Sequence, residues 1–178
     1  KGHFGCTKFA AIYMRQQKSG RIINVASDAS RGETGCANYC AAKAGIIGFT
    51  YAVARDMARY NVTCNAIAPL ALTRMAQDVQ ASTSSSQQAG KPVQKNVTNV
   101  FSGPSEIAPA VLFLASDEAA EVSGQVIGIG GGKITLWGQP GPERFFYSDE
   151  HLSADRISEL FKSSLGMGKD LRPGPLYY

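Results

Sequence analysis

Residues 35–50 read GCANYCAAKAGIIGFT, a run of alanine and glycine that carries two titratable side chains, Tyr39 and Lys43, four positions apart. Small residues at this density suit a helix packed closely against a neighbour, and the stripe Ala41, Ala44, Gly45, Gly48 and Ala52 extends the pattern towards Tyr60. A helix is expected over about 37–60. On either side lie short apolar runs rich in β-branched residues, RIINVA at 21–26 and NVTCNAIAP at 61–69, which read as buried strands. Working outward, Phe4, Cys6, Phe9, Ala10, Tyr13 and Met14 recur near the 3.6-residue period of an amphipathic helix that ends at KSG, residues 18–20. In the other direction, Gly103-Pro104-Ser105-Glu106 opens a helix running to about Ser116, and GQVIGIGGG at 124–132 is a further strand. Helices alternating with strands in this way specify an α/β domain built on a parallel sheet.

Composition narrows the function classes. The chain has 178 residues, 44% hydrophobic and 18% charged, enough for one globular core. Its 18 Lys and Arg are spread along the chain and the net charge is only +4, so neither nucleic acid nor an acidic membrane is an expected partner. No stretch approaches the roughly 20 apolar residues of a membrane span, and residues 1–17 lack the basic start and apolar centre of a signal peptide, so a cytoplasmic address is expected. Cys6, Cys36, Cys40 and Cys64 form no C-x-x-C pair and have only His3 and His151 to help them, so they read as reduced thiols and not as a metal site. Cys36 and Cys40 bracket Tyr39 and can meet across one helical turn. Residues 76–103 are Ser/Gln-rich without apolar periodicity and are expected to form a long mobile loop. The last 46 residues, 133–178, read as an extension containing a short helix at SADRISEL with Ser153 as its cap.

Positions i and i+4 share a helix face, so Tyr39 and Lys43 point the same way. A free phenol ionises near pH ~10; an ammonium a few ångströms away favours the phenolate by Coulomb attraction. Ser27, at the end of the preceding strand, offers a hydroxyl from the other side. These groups suit carbonyl reduction, in which a hydride arriving at carbon leaves an alkoxide that must be stabilised and protonated, with the hydride coming from a cofactor. By spacing alone, Y-x-x-x-K is a weak signal, because many helices carry it as a surface tyrosine stacked along a lysine stem.

In order along the chain, GRIINVASDAS, GCANYCAAKAGIIGFT, NVTCNAIAP and SGQVIGIGGG resemble the second half of a short-chain dehydrogenase/reductase. GHFGCTKFAAIYM and ANYCAAKAGIIGFT are particularly similar to reductases of 3-oxoacyl thioesters and to 3-hydroxyacyl-CoA dehydrogenases. The resemblance covers residues 2–132. It implies a Rossmann-type three-layer αβα fold whose catalytic domain includes 1–132, with 76–103 as substrate lid, an NAD or NADP cofactor, a small carbonyl or alcohol substrate such as a CoA or acyl-carrier thioester, and a homo-oligomer, dimer or tetramer. It also implies roles: Tyr39 as general acid/base, Lys43 as the cation that favours phenolate and binds ribose hydroxyls, Ser27 on the carbonyl oxygen, and Pro69 and Thr73 beside the nicotinamide. Lys91 and Lys95 in the lid are compatible with a phosphopantetheine thioester.

The chain departs from that pattern in three places. Ser27 lies 12 residues before Tyr39 where these reductases commonly have 13, leaving Ser30 as a substitute. Pro69 is followed by Leu70 where the family usually has Gly. The glycine-rich Thr-Gly-x-x-x-Gly-x-Gly turn and the supporting Asn would fall before Lys1, so the amino-terminal half of the fold is expected to be missing. GIGGG at 128–132 ends a strand and does not link a first strand to a helix, so it is no substitute for that turn. The alternative is a shortened member of the family acting as a non-catalytic partner subunit.

Overall fold

A computed structural model describes residues 1–74, 103–148 and 151–168. Two compact units are present, Lys1–Gly138 and Gln139–Tyr178. The first opens with α1 (Gly2–Gln17), which stops where Lys18 enters the left-handed region at φ 55° and its N–H caps the Met14 carbonyl. Then come β1 (Gly20–Val25), a 3₁₀ turn (Asp28–Arg31), α2 (Ala37–Met57) with a 3₁₀ end (Ala58–Tyr60), and β2 (Val62–Pro69). After a 3₁₀ turn (Pro104–Glu106), α3 (Ala108–Ala115) leads to β3 (Val126–Gly130) and β4 (Lys133–Leu136). The expected lid, all but Gly103, lies outside the described residues.

The sheet order is β1-β2-β3-β4. β1 pairs with β2 and β2 with β3 in parallel, with Val25 opposite Ile67 and Pro69 opposite Ile129. β4 adds an antiparallel strand through a two-residue turn at Gly131 and Gly132, whose φ angles of 61° and 69° suit glycine. The sheet is therefore mixed at this edge and continues past residue 132, the boundary expected from sequence. The reason is local: the glycines reverse the chain straight back onto β3 instead of releasing it from the sheet.

Alternation along the strands sends side chains to two faces. On one, Ile22, Val62 and Cys64 pack with Ala54 and Met57 of α2 and with Ala11 and Met14 of α1, while Ala26, Ala66, Ala68 and Val126 pack with Tyr51. On the other, Ile67 and Ile127 pack with Leu114 of α3, beside Ala119 and Val122. Helices thus cover both faces, the three-layer arrangement. Two buried asparagines organise it. Asn65 donates to the Val122 carbonyl at 2.7 Å and accepts from the Gln125 N–H at 3.0 Å, tying the α3–β3 connection to β2. Asn24 donates to Thr50 Oγ1 at 2.9 Å, joining β1 to α2.

The second unit contains α4 (Ala154–Leu160), continued by one wide turn (Phe161–Leu165). Ser153 accepts from the Arg156 N–H at 3.2 Å, the expected cap. Arg144 closes the far end by donating to the carbonyls of Ser164, Leu165 and Met167 at 2.9, 3.3 and 2.7 Å.

Candidate active site

The carboxyl ends of parallel strands are where ligands of open α/β sheets sit. β1 ends at Val25, two residues before Ser27, and α2 runs back along this end with Tyr39 in its first turn. Lys43, one turn further, donates from Nζ to the Val25 carbonyl at 2.8 Å. Its ammonium lies 5.6 Å from the Tyr39 ring centroid. The helix therefore supplies the shared face expected from the i, i+4 spacing, and the end of β1 anchors the cation.

Tyr39 is 45% exposed, so its phenol is open to a substrate, while Lys43 is half-buried. Ser27, in extended conformation at φ −166°, caps the 3₁₀ turn by accepting from the Ala29 N–H at 3.3 Å. That bond engages an oxygen lone pair and leaves the hydroxyl hydrogen for another acceptor. Ser30 Oγ, the substitute weighed from sequence, is buried. Pro69 ends β2, and Thr73 follows in a tight turn with its N–H donating to the Ala71 carbonyl at 3.0 Å, its side chain exposed.

Two groups escaped the sequence reading. The Val25 carbonyl fixes Lys43, and a main-chain acceptor leaves no mark in a sequence. His3 of α1 accepts from the Val25 N–H through Nε2 at 3.4 Å, so both edge groups of Val25 are held by side chains.

Cys36 caps α2, and its thiol lies 3.5 Å from that of Cys40. The hydrogen bond with Cys40, loss of solvent and the nearby Glu33 charge push Cys36 up to about 11. Among the described residues, no group of three or more His, Cys, Asp or Glu is placed to hold a metal ion.

A family model described as enoyl-(acyl carrier protein) reductase matches residues 1–133. The chain belongs to the short-chain dehydrogenase/reductase family. It is similar to a hydroxyacyl-CoA dehydrogenase of Mycobacterium tuberculosis, 39% identical over 158 residues, a match covering 84% of this chain and 47% of that protein. It is also similar to a 3-oxoacyl-[acyl-carrier-protein] reductase of Thermotoga maritima, 39% identical over 136 residues, covering 75% and 53%. Among solved structures, a short chain dehydrogenase from Mycobacterium avium superposes with a TM-score of 0.74 at 33% identity, covering 99% of this chain and 56% of that one. The chain thus spans about half the length of the curated short-chain dehydrogenase/reductase relatives it matches. No helix among the described residues is long and apolar enough to cross a membrane.

Proposed function

We propose that the full gene product is an NAD(P)-dependent oxidoreductase that interconverts a secondary alcohol and a ketone at C3 of an acyl thioester. The observation that carries this reading is the placement of Tyr39 and Lys43 on one helix face, with the lysine anchored to the end of β1. An ammonium has three donors and Val25 takes one, which leaves donors of the kind that ribose hydroxyls accept. With Pro69 and Thr73 at the end of β2, these residues fit the nicotinamide-ribose end of a dinucleotide.

When bound, the nicotinamide supplies or accepts the hydride. Tyr39 gives its phenolic proton to the alkoxide oxygen in the reductive direction and takes it back in the oxidative one. Lys43 stabilises the negative charge left on the phenol oxygen. Ser27 donates a hydrogen bond to the substrate oxygen and holds it within reach of Tyr39.

Both CoA and acyl-carrier thioesters are candidates within this class. The match to the hydroxyacyl-CoA dehydrogenase covers 84% of the chain and that to an acetoacetyl-CoA reductase 67%. Matches to 3-oxoacyl-[acyl-carrier-protein] reductases cover about three quarters. The first compact unit, Lys1–Gly138, is proposed to belong to one enzyme subunit of a homo-oligomer, and a cytoplasmic address is proposed with it.

The test is Tyr39→Phe in the full gene product, which keeps the ring and removes the proton donor. kcat for a 3-hydroxyacyl-CoA should fall by at least the roughly 10²-fold typical of lost acid/base catalysis, with dinucleotide affinity largely kept. Lys43→Ala should lower both. Near-normal turnover in Tyr39→Phe would overturn the mechanism, and a wild-type protein inert towards every 3-oxoacyl and 3-hydroxyacyl thioester tried would favour the non-catalytic partner.

A further inference from the structure

Cys36 and Cys40 stand one turn apart on either side of Tyr39, with Sγ atoms 3.5 Å apart. Cys36 is the N-cap, at φ −135° and ψ 42°, so it is not held in helical geometry and its side chain leans towards the next turn. Both thiols also face the Glu33 carbonyl, each at 3.5 Å, which gathers them on one side of the helix start. Cys36 is partly exposed and Cys40 is 9% exposed, so a small oxidant reaches the first more readily than the second. Neither takes part in the chemistry assigned to Tyr39 and Lys43.

We propose that Cys36 and Cys40 are a modification site, a dithiol that hydrogen peroxide converts reversibly into a disulfide which repositions Tyr39. In the first step the Cys36 sulfur, having lost its proton to solvent, attacks one peroxide oxygen. The O–O bond breaks, Cys36 becomes a sulfenic acid, and the departing hydroxide is protonated to water. In the second step the Cys40 sulfur attacks the Cys36 sulfur, the S–O bond breaks, and hydroxide leaves with the Cys40 proton as a second water. The two thiols lose two electrons and two protons in all, and one peroxide becomes two waters. A small dithiol such as dithiothreitol reverses the change by two exchanges, returning both electrons.

The effect on Tyr39 follows from geometry. The two sulfurs stand 3.5 Å apart, whereas a disulfide holds them at about 2.0 Å. Closing the bond draws them together by roughly 1–2 Å, pulling on the first turn of α2. The hydrogen bond from the Cys40 N–H to the Cys36 carbonyl, 2.9 Å, spans the same two residues and takes up the distortion. Tyr39 lies between them, while Lys43 stays tied to Val25, so the phenol moves relative to its cation. The consequence for turnover rests on the reading of Tyr39 as proton donor; the disulfide and the displacement do not. Because Cys36 is pushed up to about 11, little thiolate is present at neutral pH, and the reaction runs faster in mild alkali.

The experiment treats the full gene product with hydrogen peroxide in mildly alkaline buffer, blocks remaining thiols, and digests with trypsin without reduction. Cleavage after Arg31 and Lys43 releases residues 32–43 as one peptide holding both cysteines. That peptide should lose two hydrogens and take up no blocking reagent, and dithiothreitol before blocking should reverse both. Hydrogen exchange at the Cys40 amide should be faster in the oxidised protein. Turnover should fall at least tenfold and return on reduction, whereas Cys36→Ser, which is close in size and suits an N-cap position, should retain turnover through the peroxide step. Sulfinic or sulfonic acids in place of the crosslink would overturn the proposal. So would a crosslink that leaves exchange and turnover unchanged. If Tyr39→Phe proves fully active, the catalytic role fails by itself, and the crosslink and exchange measurements still decide this proposal.

Discussion

At the scale of single residues, what could be read from the sequence was what spacing dictates. Tyr39 and Lys43 share a face because i and i+4 always do on a helix, and Cys36, at the N-cap, meets Cys40 one turn on. What could not be read were bonds to the main chain and bonds across the fold. The anchor of Lys43 is the Val25 carbonyl, 18 residues away. Thr50 is another case: it lies fully buried, accepts from Asn24 Nδ2 at 2.9 Å and donates to the Ile46 carbonyl at 2.8 Å. Thr50→Val keeps the shape but strips the Asn24 amide of its oxygen partner, leaving only the Cys64 sulfur at 3.6 Å. Stranding a buried donor costs about 1–3 kcal/mol, so the urea midpoint should fall with an unchanged slope. Adding Asn24→Leu removes the stranded group, and the double variant should recover much of the loss. A double variant weaker than the sum of both singles would show that the pair is not the reason.

At the scale of elements, the long periodic segments were legible and the short one was not. α1 and α2 carry their apolar or small-residue patterns over 16 and 21 residues, so their type is unambiguous. β4 has four residues, three of them exposed, with no alternation to detect. Its signal was the Gly131-Gly132 pair between two apolar runs, a hairpin sign that also reads as the end of a strand. The small-residue stripe of α2 was legible too, but its use differs from a simple core. Gly45 and Gly48 face open space, with no atom beyond the adjoining residues and the helix's own backbone within 4 Å of where a Cβ would stand. We propose that this face meets the same face of a second copy, where the missing side chains let two helices approach closely. Gly48→Trp should shift the full gene product towards monomer in sedimentation velocity. The circular dichroism of the helices should be unchanged, because Trp is a better helix former than Gly. An unaltered sedimentation coefficient would remove this face from the assembly.

At the scale of the whole molecule, β1 is an edge of the sheet among the described residues, and the groups Val25 turns outward are held by His3 and Lys43. An edge of this kind is a template for further pairing. The proposed site accounts for one end of a dinucleotide, and the chain spans about half of its relatives' length. A dinucleotide gains much of its hold through the pyrophosphate, which in this fold class rests on the N-terminus of the helix after a first, glycine-rich strand turn. None of the glycines at 130–132 can take that part, since they close the β3–β4 hairpin and Gly130 faces the Leu70 carbonyl closely enough that a Cβ would collide with it. Residues 1–178 alone should therefore bind NAD(H) or NADP(H) weakly and show no measurable turnover, whereas the same residues preceded by a strand–helix–strand unit bearing the glycine-rich turn should do both. Titration calorimetry with each dinucleotide, followed by the thioester assay, reads the two steps separately. Tight binding by residues 1–178 would mean that Lys43, Pro69 and Thr73 suffice as a cofactor site. Failure of the extended protein to bind would mean that the geometry at the end of β1 serves something other than a dinucleotide.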